Sequence, residues 1–214
     1  MLKFNDNQNW LNERINGVLK AYLIPIKFES KKPIAVDVGS NVGAFPIVNH
    51  NKFFKVICYE PSSYSFNECR KNVNDLKNVE VFNFAVSDKS NNIVKLKSYK
   101  LGNVSGNAST LDSDLWDDTQ CEMINTISLE DIFINNNLSK IDYLKVDCEG
   151  GEYDFLINKD LSKIDYIAIE IHIQLNEKAF ELINYLDKYF IRISELGNGK
   201  TIHYEITYKN KKLL

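Results

Sequence analysis

The strongest constraint on the fold is an alternation of two kinds of segment. Short runs rich in aliphatic and β-branched residues recur along the chain: "PIAVDV" (33–38), "FFKVICYE" (53–60), "VEVFNFAV" (79–86), "IDYLKVD" (141–147) and "IDYIAIEIHI" (164–173). Helical patterns separate them. "GSNVGAFPIVNH" opens a short helix, "SYSFNECRKNVNDL" (63–76) and "EKAFELINYLDKY" (177–189) read as longer ones, and another starts at Glu152. Strands joined through helices require right-handed crossovers, hence a mostly parallel α/β sheet covered on both faces. "FIRISEL" and "TIHYEITY" then close the chain as an antiparallel pair. The expectation is a Rossmann-like sheet of seven strands with one reversed near its end, the last pair containing its only antiparallel pairing. Upstream, "NWLNERINGVLKAYL" (9–23) sets Leu11, Ile15, Val18, Leu19 and Tyr22 at helical spacing. Residues 1–30 therefore read as a helical arm whose apolar stripe packs on a domain spanning 31–214.

Composition narrows the partners. The 214 residues are 44% hydrophobic and 26% charged, enough for a real core, and the net charge of -3 offers no basic face for nucleic acid. No apolar stretch approaches the roughly 20 residues that span a bilayer, and the N-terminus lacks the apolar core of a signal peptide. A cytoplasmic protein with neither nucleic acid nor membrane partner is expected. Cys58, Cys69, Cys121 and Cys148 show no CxxC spacing, and Cys58 and Cys148 read as small core hydrophobes.

Two turns carry chemistry. In "VDVGSNVG" (36–43) the first strand meets its helix, at the rim where open parallel sheets bind ligands. Gly39 permits a sharp turn and close backbone approach, and Gly43 permits close packing of helix and strand. Glu60 ends the second strand, where an acid can take both hydroxyls of an adenosine ribose. The glycine spacing G-x-x-x-G, with Asn41 between, is not the G-x-G-x-x-G that cradles a dinucleotide pyrophosphate. Asp37 would repel phosphates and suits a cation. S-adenosylmethionine, with an ammonium, a sulfonium and no phosphate, fits these residues better than NAD, although a nicotinamide-dependent oxidoreductase and a plain αβ turn remain alternatives.

The second turn, "LKVDCEGGEYDFL" (144–156), packs Asp147, Glu149, Glu152 and Asp154 around two glycines. Strand period puts Leu144 and Val146 on one face and Tyr143, Lys145 and Asp147 on the other, with Lys145 expected in an internal ion pair. Glu152 and Asp154 fall in a helical first turn, where acids complement the helix dipole. In "IDYIAIEIHI", Glu170 and His172 share a face, roughly 7 Å apart along the strand. If the two strands are neighbours, Asp147, Glu149, Glu170 and His172 converge.

These motifs, with "CYEPSS", "FAVSDKS" and "TISLEDIF", together resemble the FkbM-type S-adenosylmethionine-dependent methyltransferases over about residues 33–173; the K-x-D-x-E-G-x-E element is the most specific part. The resemblance implies a class I methyltransferase fold and O-methylation of a saccharide or a natural-product hydroxyl. It implies Asp37, Gly39, Asn41, Gly43 and Glu60 at the cofactor, with Ser40, Pro61 and Ala85 counted in the same motifs, and Asp147, Glu149 and Glu152 at the methyl-transfer end. His172 or Asp147 is expected as general base. Alternatively, Asp147, Glu170 and His172 hold Mg²⁺ or Mn²⁺. Residues 99–125, irregular and carrying Gly102, Gly106 and Trp116, read as a lid over a small-molecule acceptor or as a surface loop. A non-catalytic nucleoside-binding module of the same fold is the remaining alternative.

Overall fold

The computed structural model describes residues 7–22, 24–25, 27–99, 108–109, 116–172, 178–196 and 203–214. After helix α1 (Asn7–Ala21), strands and helices alternate. Strand β1 (Ile34–Val38) leads to α2 (Ala44–Asn49), β2 (Lys55–Tyr59) to α3 (Ser63–Asn72) and then to β3 (Val79–Phe82). The chain continues through β4 (Ala85–Ser87), β5 (Ile93–Tyr99), β6 (Ala108–Ser109), β7 (Trp116–Ser128) and α4 (Leu129–Asn135). It then forms β8 (Ile141–Val146), α5 (Glu152–Leu156), β9 (Ile164–His172), α6 (Ala179–Tyr189), β10 (Phe190–Leu196) and β11 (His203–Asn210).

The main sheet has the order β10-β11-β9-β8-β1-β2-β3. Strands β3, β2, β1, β8 and β9 are parallel, and β1 is flanked by β2 and β8. Chain order reverses beside β1, so a crevice opens beyond the carboxyl ends of β1 and β8, as sheets of this kind dictate. Strand β11 is the reversed one. It inserts between β9 and β10 and pairs antiparallel with both, so the sheet has two antiparallel pairings rather than the single one expected. The reason lies in the side chains: β11 buries Ile206 and Tyr208, whereas β10 carries Arg192 and Glu195, which suit an edge.

Period-2 alternation divides the core. Val36, Leu144, Val146, Ile167 and Ile169 face one layer with Phe155, Leu182 and Leu186. Ala35, Val56, Cys58, Tyr143 and Ala168 face the other, where Phe45 and Phe53 pack and Val18, Tyr22 and Phe28 join from the N-terminal segment.

The run 79–86 is two strands, not one. Strand β3 stays in the main sheet, while β4 turns away to pair with β7 in a second sheet of order β4-β7-β5-β6. Asn83 fixes the corner, its Nδ2 donating to the carbonyls of Glu60 and Pro61 at 2.9 and 2.8 Å. Much of the expected lid is also regular: residues 116–125 belong to β7, paired with β5. Gly102, Gly106, Ile173 and the start of the helix at 177 lie outside the described residues. No helix among the described residues is long and apolar enough to cross a membrane.

Candidate active site

A cavity of about 490 Å³ opens at the carboxyl ends of β1, β2, β8 and β9, within the range of small-molecule sites. One end of it is built by the glycine turn. The Gly39 and Ser40 amides donate to the Tyr59 carbonyl at 2.9 and 3.1 Å, and Ser40 Oγ donates to the Asp37 carbonyl at 3.0 Å. Gly39 has φ +78°, and a Cβ there would stand 1.7 Å from the Asp147 carbonyl oxygen. Glycine is thus required because the first turn packs directly on the end of β8. Gly43 (φ +88°) does not line the cavity. It faces α3, where a Cβ would meet Cys69 Sγ at 3.0 Å and Val73 at 3.1 Å, so its role is helix packing.

Glu60 is 7% exposed and lines the cavity. Its Oε2 accepts from the Asn41 amide at 2.8 Å and its Oε1 from the Ser62 amide at 2.9 Å. Burial pushes its pKa up to about 7 against those two hydrogen bonds. A carboxylate has about four acceptor sites, so two remain for a ligand's hydroxyls. Beside it, Pro61, Phe84, Ala85 and Leu96 form a largely apolar wall, as a purine face requires. Ser40 and Asn41 border the same end. The residues present therefore fit an adenosyl group.

Asp37, expected to meet a cationic ligand, does not reach the cavity wall. It is fully buried, with Lys145 Nζ 3.1 Å from its Oδ1; burial raises its pKa and Lys145 opposes the shift. The lysine also donates to the Gly39 carbonyl at 2.7 Å and lies 3.7 Å from Asp147 Oδ2. Its own pKa is raised, since the acids Asp37 and Asp147 outweigh its desolvation. The internal ion pair expected for Lys145 is present, with Asp37 the nearer acid at 3.1 Å and Asp147 the farther at 3.7 Å.

The other end of the cavity is the acidic turn. Strand β8 stops at Val146, and the chain passes through Asp147, Cys148 and then Glu149, whose φ of 51° is left-handed, a strained conformation for a non-glycine residue. Glu152 is not merely a first-turn acid. It is fully buried, its Oε2 accepting from the Gly150 amide at 2.8 Å and its Oε1 from the His172 amide at 3.2 Å. His172 is ringed by carboxylates: Nδ1 is 3.4 Å from Glu152, and Nε2 is 3.3 Å from Glu149 and 3.4 Å from Glu170. Burial alone would lower its pKa, but these carboxylates raise it to about 11. A ring whose two nitrogens carboxylates hold toward the protonated form is poorly suited to the general-base role expected of His172.

The same geometry tests the metal reading. Ligand atoms of Asp147, Glu170 and His172 lie within 4.8 Å of one another, but a ligating histidine must present a neutral nitrogen. Here both ring nitrogens face carboxylates, the arrangement of an imidazolium. As arranged, the ring nitrogens are taken up by carboxylates, and the cluster lends no support to Mg²⁺ or Mn²⁺.

Helix α1 does more than pack its apolar stripe on the sheet: Glu13, Arg14, Gly17, Val18 and the following Tyr22 wall the cavity. The Tyr22 hydroxyl donates to Asp147 Oδ2 at 3.2 Å, its ring meets Phe45 edge-on, and Lys145 Nζ lies 5.7 Å from its centroid. For Asp147, burial is outweighed by Lys145, His172, Arg14 and this hydrogen bond, which together hold its pKa below the usual carboxylate range. Glu205 of β11, paired in register with Glu170 of β9, also reaches the cavity and was not foreseen.

A model of the methyltransferase FkbM domain matches residues 37–198. The chain belongs to the FkbM methyltransferase family. Solved structures agree on the class I S-adenosylmethionine-dependent methyltransferase fold. TrmK of M. capricolum, in complex with S-adenosyl-homocysteine, is 16% identical with a TM-score of 0.50, covering 92% of this chain and 68% of that one. The pre-rRNA processing protein fibrillarin of Methanococcus jannaschii is 12% identical with a TM-score of 0.53, covering 89% and 70%. A human methyltransferase 10 domain containing protein is 14% identical with a TM-score of 0.50, covering 93% and 81%. No curated protein matches the chain significantly. The FkbM match begins at Asp37, so α1 and Tyr22 lie outside it.

Proposed function

We propose that this FkbM family member transfers a methyl group from S-adenosylmethionine to a hydroxyl of a small molecule, of saccharide or natural-product type. The observation that carries the reading is one cavity with two unlike ends. Glu60 and an apolar wall suit an adenosyl group, and a cluster of carboxylates lies on the acceptor side. When bound, S-adenosylmethionine supplies a methyl carbon activated by a sulfonium, so the protein's task is orientation and proton management.

Glu60 would hold the ribose hydroxyls, with Asn41 and Ser62 fixing its carboxylate. Glu149 is the best-placed general base. It lines the cavity, and burial, with His172 opposing, pushes its pKa up to about 7, near the optimum for proton transfer at neutral pH. His172 holds Glu149 in place, and Glu152 holds His172. Asp147, kept anionic, would orient the acceptor. The pyrophosphate of a dinucleotide would meet this acidic wall unfavourably, which argues against the oxidoreductase alternative.

The test is transfer of labelled methyl from S-adenosylmethionine across a panel of sugars and hydroxylated natural products. Turnover abolished by Glu149→Gln, with binding of S-adenosylhomocysteine retained, supports the assignment. Absence of turnover across the panel, with that binding intact, favours a non-catalytic nucleoside-binding module.

A further inference from the structure

The FkbM match begins at Asp37, yet a side chain from ahead of it grips the acidic turn at the cavity wall. Tyr22 closes the last turn of α1. Its amide donates to the Val18 carbonyl at 3.4 Å, and both side chains pack into the layer of Phe45 and Tyr143. Phe45 meets the Tyr22 ring edge-on at 6.5 Å. Apolar contacts thus fix the ring, and its hydroxyl is delivered to Asp147 Oδ2 at 3.2 Å. Burial, with Asp147 and Glu170 nearby, pushes the phenol pKa well up, so the hydroxyl keeps its proton and donates.

Asp147 has few other means of holding one orientation. Its backbone is set, because its amide donates to the Val38 carbonyl at 3.0 Å, but its side chain is 29% exposed in the cavity. Lys145 alone would hold it weakly. The lysine's shorter contacts are to the Gly39 carbonyl at 2.7 Å and Asp37 at 3.1 Å, and Asp147 Oδ2 comes third at 3.7 Å. Among the described residues, the Tyr22 hydroxyl is therefore the closest donor to the Asp147 carboxylate. Both contacts fall on one oxygen, and a carboxylate accepts about four hydrogen bonds, so Asp147 keeps acceptor capacity for a ligand. Gly17, on the same wall, leaves room for one: a Cβ there would meet nothing within 4 Å.

Resting on the methyltransferase reading above, we infer that Tyr22 is a positioning residue for methyl transfer: its hydrogen bond to Asp147 sets the carboxylate that orients the acceptor hydroxyl. The segment ahead of the FkbM match is then a working part of the site. In-line displacement depends on how the acceptor oxygen meets the methyl carbon, and a shift of about 1 Å can lower a rate by about a hundredfold. Tyr22 touches no reacting atom and acts only through Asp147.

The test is labelled methyl transfer from S-adenosylmethionine to those sugars and hydroxylated natural products of the panel that the wild type methylates. It compares Tyr22→Phe, Asp147→Asn, the double variant and Phe28→Leu. Phe28 packs on Phe53, Tyr143 and Tyr166, none of which lines the cavity, so its variant loosens the same layer without touching the site. Tyr22→Phe should lower kcat about tenfold or more, with the KM for S-adenosylmethionine and the affinity for S-adenosylhomocysteine unchanged. In the Asp147→Asn background the same substitution should change kcat by less than about twofold, because the group it acts through is already altered. Phe28→Leu should lower the Tm at least as much as Tyr22→Phe does and keep kcat. The inference is overturned if Tyr22→Phe keeps its kcat, if the effects of the two substitutions multiply, or if Phe28→Leu lowers kcat as far as Tyr22→Phe. A wild type that binds S-adenosylhomocysteine but methylates nothing in the panel would sink the methyltransferase reading, and the inference with it. That failure shows in the wild type, whereas failure of the inference alone shows only in the variants.

Discussion

The two ends of the cavity are held together in different ways. At the ribose end the polar groups are satisfied locally and by backbone: Glu60 accepts from Asn41 and Ser62, and Ser40 from its own turn reaches the Asp37 carbonyl. At the acceptor end they are satisfied by side chains brought from far apart in the chain. Asp147 is held by Tyr22 and Lys145, Glu149 by His172, and His172 by Glu152. Backbone donors cannot be removed by a side-chain substitution, whereas each remote partner can. The first end should therefore respond to changes in shape and in its one carboxylate, and the second to any break in a chain of charges.

The largest effect should come where the two ends touch. Gly39→Ala would drive a Cβ into the Asp147 carbonyl at a positive φ, costing about 3–5 kcal/mol or preventing folding, and thermal unfolding would read it. If this variant melts like the wild type, the ends are not packed as described. Next is Glu152→Gln, which removes a buried charge from beside His172; about 3 kcal/mol is expected from breaking such a pair, measured by urea denaturation. A loss well under about 1 kcal/mol would mean that His172 does not depend on that partner.

A pH effect distinguishes the ribose end. Glu60 has a folded pKa raised to about 7 from an ordinary 4.5, so the folded state holds its proton more tightly than the unfolded one. Its contribution to stability is complete below about 4.5 and is lost as pH rises through about 7. Hydroxyl donors prefer the ionised form, so S-adenosylhomocysteine binding should tighten as pH rises from about 6 to 8, and Glu60→Gln should flatten that profile. The smallest effect is expected for Tyr22→Phe, which keeps the ring against Phe45 but loses the hydrogen bond to Asp147. Roughly 1 kcal/mol of stability is at stake, with S-adenosylhomocysteine affinity unchanged. A large loss of that affinity would join the two ends more closely than their contacts imply.

This contrast also explains what was legible in the sequence. The parallel sheet, the glycine turn and Glu60 are written in short stretches, because strand period and turn chemistry act over a few residues. The pairing of Lys145 was legible too, since a lysine inside an apolar strand demands a partner. Which acid it takes was not: Asp37 lies on β1, in register with Lys145 on β8, and only the sheet order brings them together. The same holds for Tyr22 on Asp147 and for Glu205 beside Glu170, contacts made by segments far apart in the chain. His172 looked like a base because an isolated histidine titrates near neutrality. Three carboxylates around it, one of them fully buried, change that.

The central claim is that the glycine turn and Glu60 form a site for S-adenosylmethionine. Calorimetric titration with S-adenosylhomocysteine, using NAD as control and Glu60→Ala as variant, tests it most directly. The account predicts binding of S-adenosylhomocysteine that falls by about a hundredfold in Glu60→Ala, as losing two charge-assisted hydrogen bonds implies, and no heat from NAD. Binding of NAD without S-adenosylhomocysteine, or S-adenosylhomocysteine affinity untouched in Glu60→Ala, would contradict it.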